Sequence, residues 1–162
     1  MDKSKNNKYT PFQLTVLVAA RVLMGWYCLY EGVVKVMNPN WSSFAYLTDS
    51  QGWFAPFFKA MALKPQLVSV IDFVNIWGLT AIGLGLILGC LTRVATLAGI
   101  ILISLYCLSH PTLIDANYMM PSGETAMWVG KNLLFVALLF ILLVFPTGNR
   151  IGLDRLWFKK KK

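Results

Sequence analysis

The sequence predicts an all-α membrane protein, a four-transmembrane-helix bundle with a short interfacial helix region between helices 1 and 2. Three observations predict it. The 162-residue chain is 57% hydrophobic and only 14% charged, with a mean hydropathy of +0.59; soluble domains run at roughly 25% charged. Its apolar residues gather into continuous runs instead of recurring at the helical spacing of about 3.6. Four such runs, about 12–36, 67–89, 94–110 and 126–145, meet or approach the roughly 20 apolar residues that cross a bilayer core of about 30 Å. Nothing outside them is long enough to build a separate core, so residues 1–162 read as one transmembrane domain.

The first span follows a basic segment, as a signal peptide does. Its apolar stretch is longer than a usual h-region, contains Arg21 and is followed by no small-residue cleavage site, so it is expected to remain as the first helix. It ends near Asn38-Pro39-Asn40. The connection that follows, through Pro65, is too long for a bare loop. Trp53, Phe54, Phe57, Phe58 and Met61 in it would share one face of a short helix, and Trp41, Phe44 and Tyr46 lie nearby. Aromatics settle at membrane interfaces, so this stretch reads either as an anchor or as a lid at a lipid-facing entrance. The second and third spans turn at Cys90–Arg93 and must form an antiparallel hairpin. The third stops at His110-Pro111. A polar connection carrying Asp115, Asn117, Pro121, Ser122, Gly123 and Glu124 leads to the fourth, which ends at Pro146-Thr147-Gly148.

Orientation follows from the basic residues. Lys3, Lys5, Lys8, Arg93, Arg150, Arg155 and Lys159 to Lys162 would share one side, ten against the two, Lys59 and Lys64, on the other. Both termini are thus expected in the cytoplasm, in the inner membrane of a prokaryote. The net charge of +8 then marks topology and contact with anionic lipid, and nucleic acid is not an expected partner. Cys28, Cys90 and Cys107 show neither CxxC spacing nor a disulfide framework.

Candidate chemistry lies in what interrupts the apolar runs, because charges within a span usually face the bundle interior or a wet cavity. Arg21, Glu31 and Lys35 fall on the first helix, Asp72 and Asn75 on the second, Tyr106 and His110 on the third, and Lys131 and Asn132 on the fourth. The alternating direction of the helices brings all of these except Arg21 to the outer half of the membrane. Arg21, Gly25, Cys28, Gly32 and Lys35 share one stripe, while Gly78, Gly85 and Gly89 line a face of the second helix suited to close helix approach. A bland alternative is a set of paired charges that fix packing, with Glu31 and Lys35 as an i,i+4 pair.

One histidine excludes bis-His haem ligation within the chain, and no metal-ligand spacing is present, so neither metal nor haem is expected. A nucleophile elbow and a phosphate-binding glycine loop are also missing from the sequence. The remaining inventory suits a small anion held by Lys35, Lys131 and His110, or a quinone entering from the bilayer, with carboxylates available for protons.

The stretch Arg21-Val-Leu-Met-Gly25-Trp26-Tyr-Cys-Leu-Tyr30-Glu31-Gly32-Val-Val-Lys35, followed by Asn38-Pro39-Asn40-Trp41-Ser42, resembles the start of DoxD-type proteins of the DoxX superfamily. Tyr46-Leu47, Trp77-Gly78-Leu79, the run from Gly83 to Arg93, Asn132-Leu133 and Gly152-Leu153-Asp154-Arg155 extend the resemblance over nearly the whole chain. The resemblance implies the small subunit of thiosulfate:quinone oxidoreductase, which couples two thiosulfates to tetrathionate and passes two electrons to membrane quinone. It also implies a DoxA-like partner subunit, which this chain does not contain; a homo-oligomer is the other assembly considered.

On that expectation Arg21, Lys35, Asn75, Tyr106, Lys131 and Asn132 would bind the sulfur anion. Glu31 and Asp72 would handle quinone protons, with His110 and Cys107 also catalytic. Trp26, Trp41 and Trp77 would stack on the quinone ring, the electron acceptor and co-substrate. A second class of function is a non-catalytic membrane module that binds quinone or lipid and scaffolds partners. An anion transporter ranks third, because the inner half offers no polar continuation of the path.

Overall fold

The structure, a computed structural model, describes residues 9–112, 118–119, 125–126 and 129–157. Thr10 starts the first helix with reciprocal hydrogen bonds: its Oγ1 accepts from the Gln13 N–H at 3.2 Å, and Gln13 Oε1 accepts from the Thr10 N–H at 3.0 Å. Pro11 occupies the first helical position, where a missing N–H costs nothing. Helix α1 (Pro11–Met37) then runs 27 residues to Asn38, ahead of Pro39, which disfavours helical backbone in the residue before it.

The first connection folds into two short helices, α2 (Phe44–Thr48) and α3 (Ala55–Ala62). Trp53 and Phe54 precede α3, so the expected single aromatic face is divided. Trp53 is almost fully exposed and Phe57 exposed, while Phe58 is buried with Leu47, Ala62 and Val68 in a small satellite core. Helix α4 (Pro65–Leu88) closes on Gly89, whose φ of +65° is the left-handed conformation that ends many helices. Leu91 also adopts positive φ, and α5 (Thr92–Ser109) departs antiparallel.

Strands β1 (Thr125–Ala126) and β2 (Val129–Gly130) pair antiparallel just before α6 (Lys131–Val144), and α7 (Asp154–Trp157) ends the described chain. The helix in the expected fourth stretch therefore begins five residues late, because Thr125–Ala126 and Val129–Gly130 pair as strands. At 14 residues, α6 is about 21 Å long. Among the described residues three helices, α1, α4 and α5, are long and apolar enough to cross a membrane, and α6 is a shorter apolar helix. The N-terminal lysines, Asp115, Asn117, Ser122, Glu124 and the final lysines lie outside the described residues.

Helix α1 packs along α4, α4 along α5, and α5 along α6. Met24 and Cys28, Leu79, Ile82 and Leu86, Ile100 and Ile103, and Leu139 and Leu142 meet in one core. The α1–α4 contact is close because it uses glycine. A Cβ on Gly83 would sit 2.5 Å from the Leu29 nitrogen and 2.7 Å from the Gly25 carbonyl oxygen, both rigid backbone atoms. Gly78, one of the glycines expected at the contact, faces nearly open space. Outside the core, Leu23, Trp26, Phe73, Trp77, Val94, Ile101 and Phe140 turn outward and exposed, as a lipid-facing surface requires.

Candidate functional site

Two polar centres lie at opposite ends of the bundle. The expected convergence occurs at the end where α1 and α5 finish and α4 and α6 begin. Lys35 Nζ lies 3.9 Å from Glu31 Oε2 on the same helix. It sits over the rings of Trp41, at 5.0 Å, and Tyr106, at 5.8 Å. The Tyr106 hydroxyl donates a hydrogen bond to Asn75 Oδ1, and the Asn75 amide donates back to the Ile71 carbonyl. Three helices thus share a buried polar layer. Cys28 lies beneath it, fully buried.

The layer continues through aromatic rings toward α6. Tyr46 meets Tyr106 edge-on at 5.9 Å and stacks on His110 at 3.8 Å. Tyr118 approaches the same imidazole at 4.6 Å and donates from its hydroxyl to the Pro111 carbonyl. His110 Nε2 lies 3.7 Å from Asp49 Oδ2, and its Nδ1 lies 3.1 Å from Ser109 Oγ. Burial pushes His110, just past the end of α5, below its ordinary value, and the Asp49 carboxylate opposes that shift. Burial also pushes the Tyr46 phenol up.

His110 forms part of the wall of a cleft of about 390 Å³. Trp53 and Phe54 come from the first connection, Cys107 and Leu108 from α5, and Lys131, Asn132 and Leu133 from α6. The lining is mainly apolar, with polar groups at few points, which is the usual make-up of a site for an organic ligand. Leu108 and Leu133 are also exposed on the bundle surface, so the cleft borders the lipid-facing side. Residues of the connection between α1 and α4 form one wall.

Several expected site residues fall elsewhere. The Asp72 carboxylate accepts from the Ser43 N–H at 2.7 Å and the Ser42 hydroxyl at 3.0 Å; it fastens the first connection to α4. Trp26 and Trp77 are more than half exposed on the outward faces of α1 and α4, apart from the cleft, and Trp41 stays beside Lys35. Arg21 is 14 residues, about 21 Å, below Lys35. Its burial is nearly complete, and its Nη1 donates to Thr147 Oγ1 at 3.0 Å.

Asp154 completes this second centre. Its carboxylate accepts from the N–H groups of Leu91 at 2.6 Å and Thr92 at 3.0 Å, and from the Thr92 hydroxyl. These hydrogen bonds cap α5 from a residue 62 positions away. Burial alone would raise the Asp154 carboxyl. The Thr92 and Leu91 hydrogen bonds, with the Arg21 charge, hold it below the usual carboxylate value. The spacing of charges gave no sign of Asp49, Tyr46, Thr147 or Asp154 as site residues. Two of the stretches that resemble the family, Tyr46-Leu47 and Gly152-Leu153-Asp154-Arg155, do contain two of these four, Tyr46 and Asp154. Among the described residues no group of three or more His, Cys, Asp or Glu side chains is placed to hold a metal ion.

Long apolar helices with outward-facing Leu, Val, Phe and Trp define an integral multi-pass membrane protein. A match to the DoxX family covers residues 16–110, more than half of the chain, and the protein belongs to that family. Neither the curated proteins nor the solved structures include a match.

Proposed function

We propose that this DoxX protein is a membrane redox protein that binds a quinone ring in the cleft between α5, α6 and the first connection. It passes electrons to that quinone from thiosulfate or a related sulfur anion. The observation that carries this reading is the cleft itself: about 390 Å³, mostly apolar, bordering the lipid face, with His110, Lys131 and Asn132 in its wall. Quinone reaches such a site from the bilayer, and its two carbonyl oxygens need only a few donors. Asn132 and the free backbone N–H groups of the first turn of α6 supply them, and Lys131 beside them holds the sulfur anion.

The sulfur donor is supported by the resemblance to DoxD-type proteins. Oxidation of two thiosulfates forms one S–S bond and releases two electrons; the quinone takes those two electrons and two protons and leaves as quinol. In this reading α6 serves as the fourth span. The basic tails and Arg93 face the cytoplasm, and the cleft opens at the outer face of a prokaryotic inner membrane. A DoxA-like subunit or a second copy of the chain is the proposed partner. The test is quinone reduction by purified protein in nanodiscs, with thiosulfate, sulfite and sulfide as donors. Donor-dependent quinol formation supports the reading. Quinone binding without turnover under every donor leaves the scaffold function instead.

A further inference from the structure

The connection between α1 and α4 brings a carboxylate, part of no charged stripe in the sequence, up behind His110 of the cleft wall. Asp49 follows α2 directly, and its backbone N–H donates to the Ala45 carbonyl at 3.1 Å. The next two residues are fastened to the end of α5: Ser50 Oγ donates to the Ser109 carbonyl at 2.7 Å, and the Gln51 N–H donates to the same oxygen at 3.2 Å. His110 is fixed from its own side. Its backbone N–H donates to the Tyr106 carbonyl at 3.0 Å, and Tyr46 and Tyr118 hold its ring. Both side chains are more than nine-tenths buried, at 3.7 Å between Oδ2 and Nε2. That separation is too long for a good hydrogen bond, and Nε2 has no hydrogen-bond partner among the described residues.

We propose that Asp49 is a positioning residue: it orients His110 in the cleft wall and provides the negative charge that lets this histidine take up a proton there. The titratable neighbours among the described residues enter the balance. Tyr46 from α2 and Tyr118 from the connection between α5 and α6 face the ring as neutral phenols. Cys107 and Tyr106 lie on α5 itself, Lys131 of α6 shares the cleft, and Lys35 and Glu31 of α1 stand beyond Tyr106. Among the described residues, the Asp49 carboxylate is the one facing the His110 imidazole, while the ammonium group of Lys131 belongs to the same cleft. Without Asp49, a proton on the buried imidazole would lose the carboxylate that faces it and would still share the cleft with Lys131.

The consequence concerns the ligand. A proton on His110 places positive charge in the cleft wall, which favours the more electron-rich form of whatever ring is held there. With the quinone of the proposed function, reduction becomes easier at a pH low enough to protonate His110. Only this last step rests on that function; the Asp49–His110 coupling stands without it.

His110 is the only histidine in the chain, so ring-15N histidine labelling gives signals from one residue. The experiment titrates it by NMR in nanodiscs, in wild type, Asp49→Asn and Asp49→Glu. Above its midpoint the wild-type imidazole should carry its hydrogen on Nε2, facing Asp49; an Nδ1–H tautomer overturns the proposal without any variant. Asp49→Asn should lower the midpoint by about one unit, a tenfold weaker hold on the proton, and Asp49→Glu should restore it. An unchanged midpoint in the Asn variant, or a Glu variant that behaves like Asn, also overturns it. Decylubiquinone is then added to the wild type. If it leaves the His110 signals unmoved while the titrations behave as expected, the quinone reading fails and the coupling stands.

Discussion

Arg21 and Thr147, 126 positions apart, meet through a 3.0 Å hydrogen bond from Nη1 to Oγ1 in the buried interior. The bond ties the deepest charge of α1 to the segment that follows α6. The segment then closes on the α4–α5 turn: the Leu153 N–H donates to the Leu88 carbonyl at 3.1 Å, and the Asp154 N–H to the Gly89 carbonyl at 2.9 Å. Arg21 is thereby a fastening residue at the end of the bundle opposite the cleft.

Asp154→Asn should destabilise the protein by about 1–3 kcal/mol, because it removes an acceptor at the start of α5 and the charge facing Arg21. The pH dependence has a definite sign. The folded-state value of Asp154 lies below the ordinary 3.8, so its contribution is fully present above that value. It is lost as pH falls through the lower folded value. Thermal unfolding in nanodiscs from pH 7 to pH 3 checks both statements: the variant should start less stable and lose less on acidification.

The glycines separate by position. Gly83→Val should disrupt the α1–α4 contact, since the Leu29 nitrogen and Gly25 oxygen that its Cβ would strike are backbone atoms. Gly78→Ala should fold normally, its nearest neighbour being Val74 Cγ1 at 3.9 Å. Expression yield and monodispersity in detergent distinguish the two. A Gly83→Val protein as stable as wild type would remove this account of the helix pair.

Much of this fold was legible because the bilayer constrains it so strongly. Continuous apolar runs located α1, α4 and α5 to within two residues at most ends, and helix direction alone brought Lys35, Asn75, Tyr106, His110 and Lys131 to one end. The start of α6 was not legible, because the sequence there carries no strong turn signature and Thr125–Ala126 and Val129–Gly130 pair as strands only in context. Nor was Asp49 legible, since it lies in a connection whose path depends on Asp72 accepting hydrogen bonds from Ser42 and Ser43. Long-range fastening of this kind leaves no periodic trace in a sequence. Phase along α1 correctly grouped Arg21, Gly25, Cys28 and Gly32 on its buried stripe, but phase cannot say that Arg21 meets Thr147.

The proposed orientation is tested by cysteine labelling in a background without native cysteines. Leu63, exposed near the cleft end, and Asn149, exposed near the Asp154 end, lie in segments of opposite expected sidedness. Cysteine at Leu63 should react with an impermeant maleimide applied outside intact cells. At Asn149 it should react only after permeabilisation. The reverse pattern would put the cleft on the cytoplasmic side.

Lys131 and Lys35 differ in what already holds them. Lys35 is paired with Glu31 and covered by Trp41 and Tyr106, whereas Lys131 is exposed in the cleft. Loss of one charge-assisted contact costs about 1.5–3 kcal/mol, roughly 10- to 150-fold. Lys131→Met should therefore raise the KM for the sulfur anion by at least tenfold. Lys35→Met should leave the KM within about threefold and lower thermal stability instead. Equal effects of both on KM would mean that one anion site spans the two lysines.

The cysteines test the cleft most directly. Cys107 is part of the cleft wall and partly exposed, while Cys28 is fully buried in the core formed by α1, α4 and α5. Nothing links them covalently, for both are free thiols. A membrane-permeant maleimide should modify Cys107 much faster than Cys28, and decylubiquinone should slow that reaction by occupying the cleft. Cys90, at the far end of α4, provides the internal control, because ligand in the cleft should leave its rate unchanged. If quinone slows Cys90 and Cys107 equally, the protection is a bulk membrane effect and the ring is not in the cleft. Activity then decides whether the thiol reacts with sulfur. Cys107→Ala should abolish donor-dependent quinone reduction if a sulfur adduct forms on Cys107. Full activity in that variant, with protection intact in the wild type, would leave Cys107 as a wall of the site and assign the anion to Lys131 and His110.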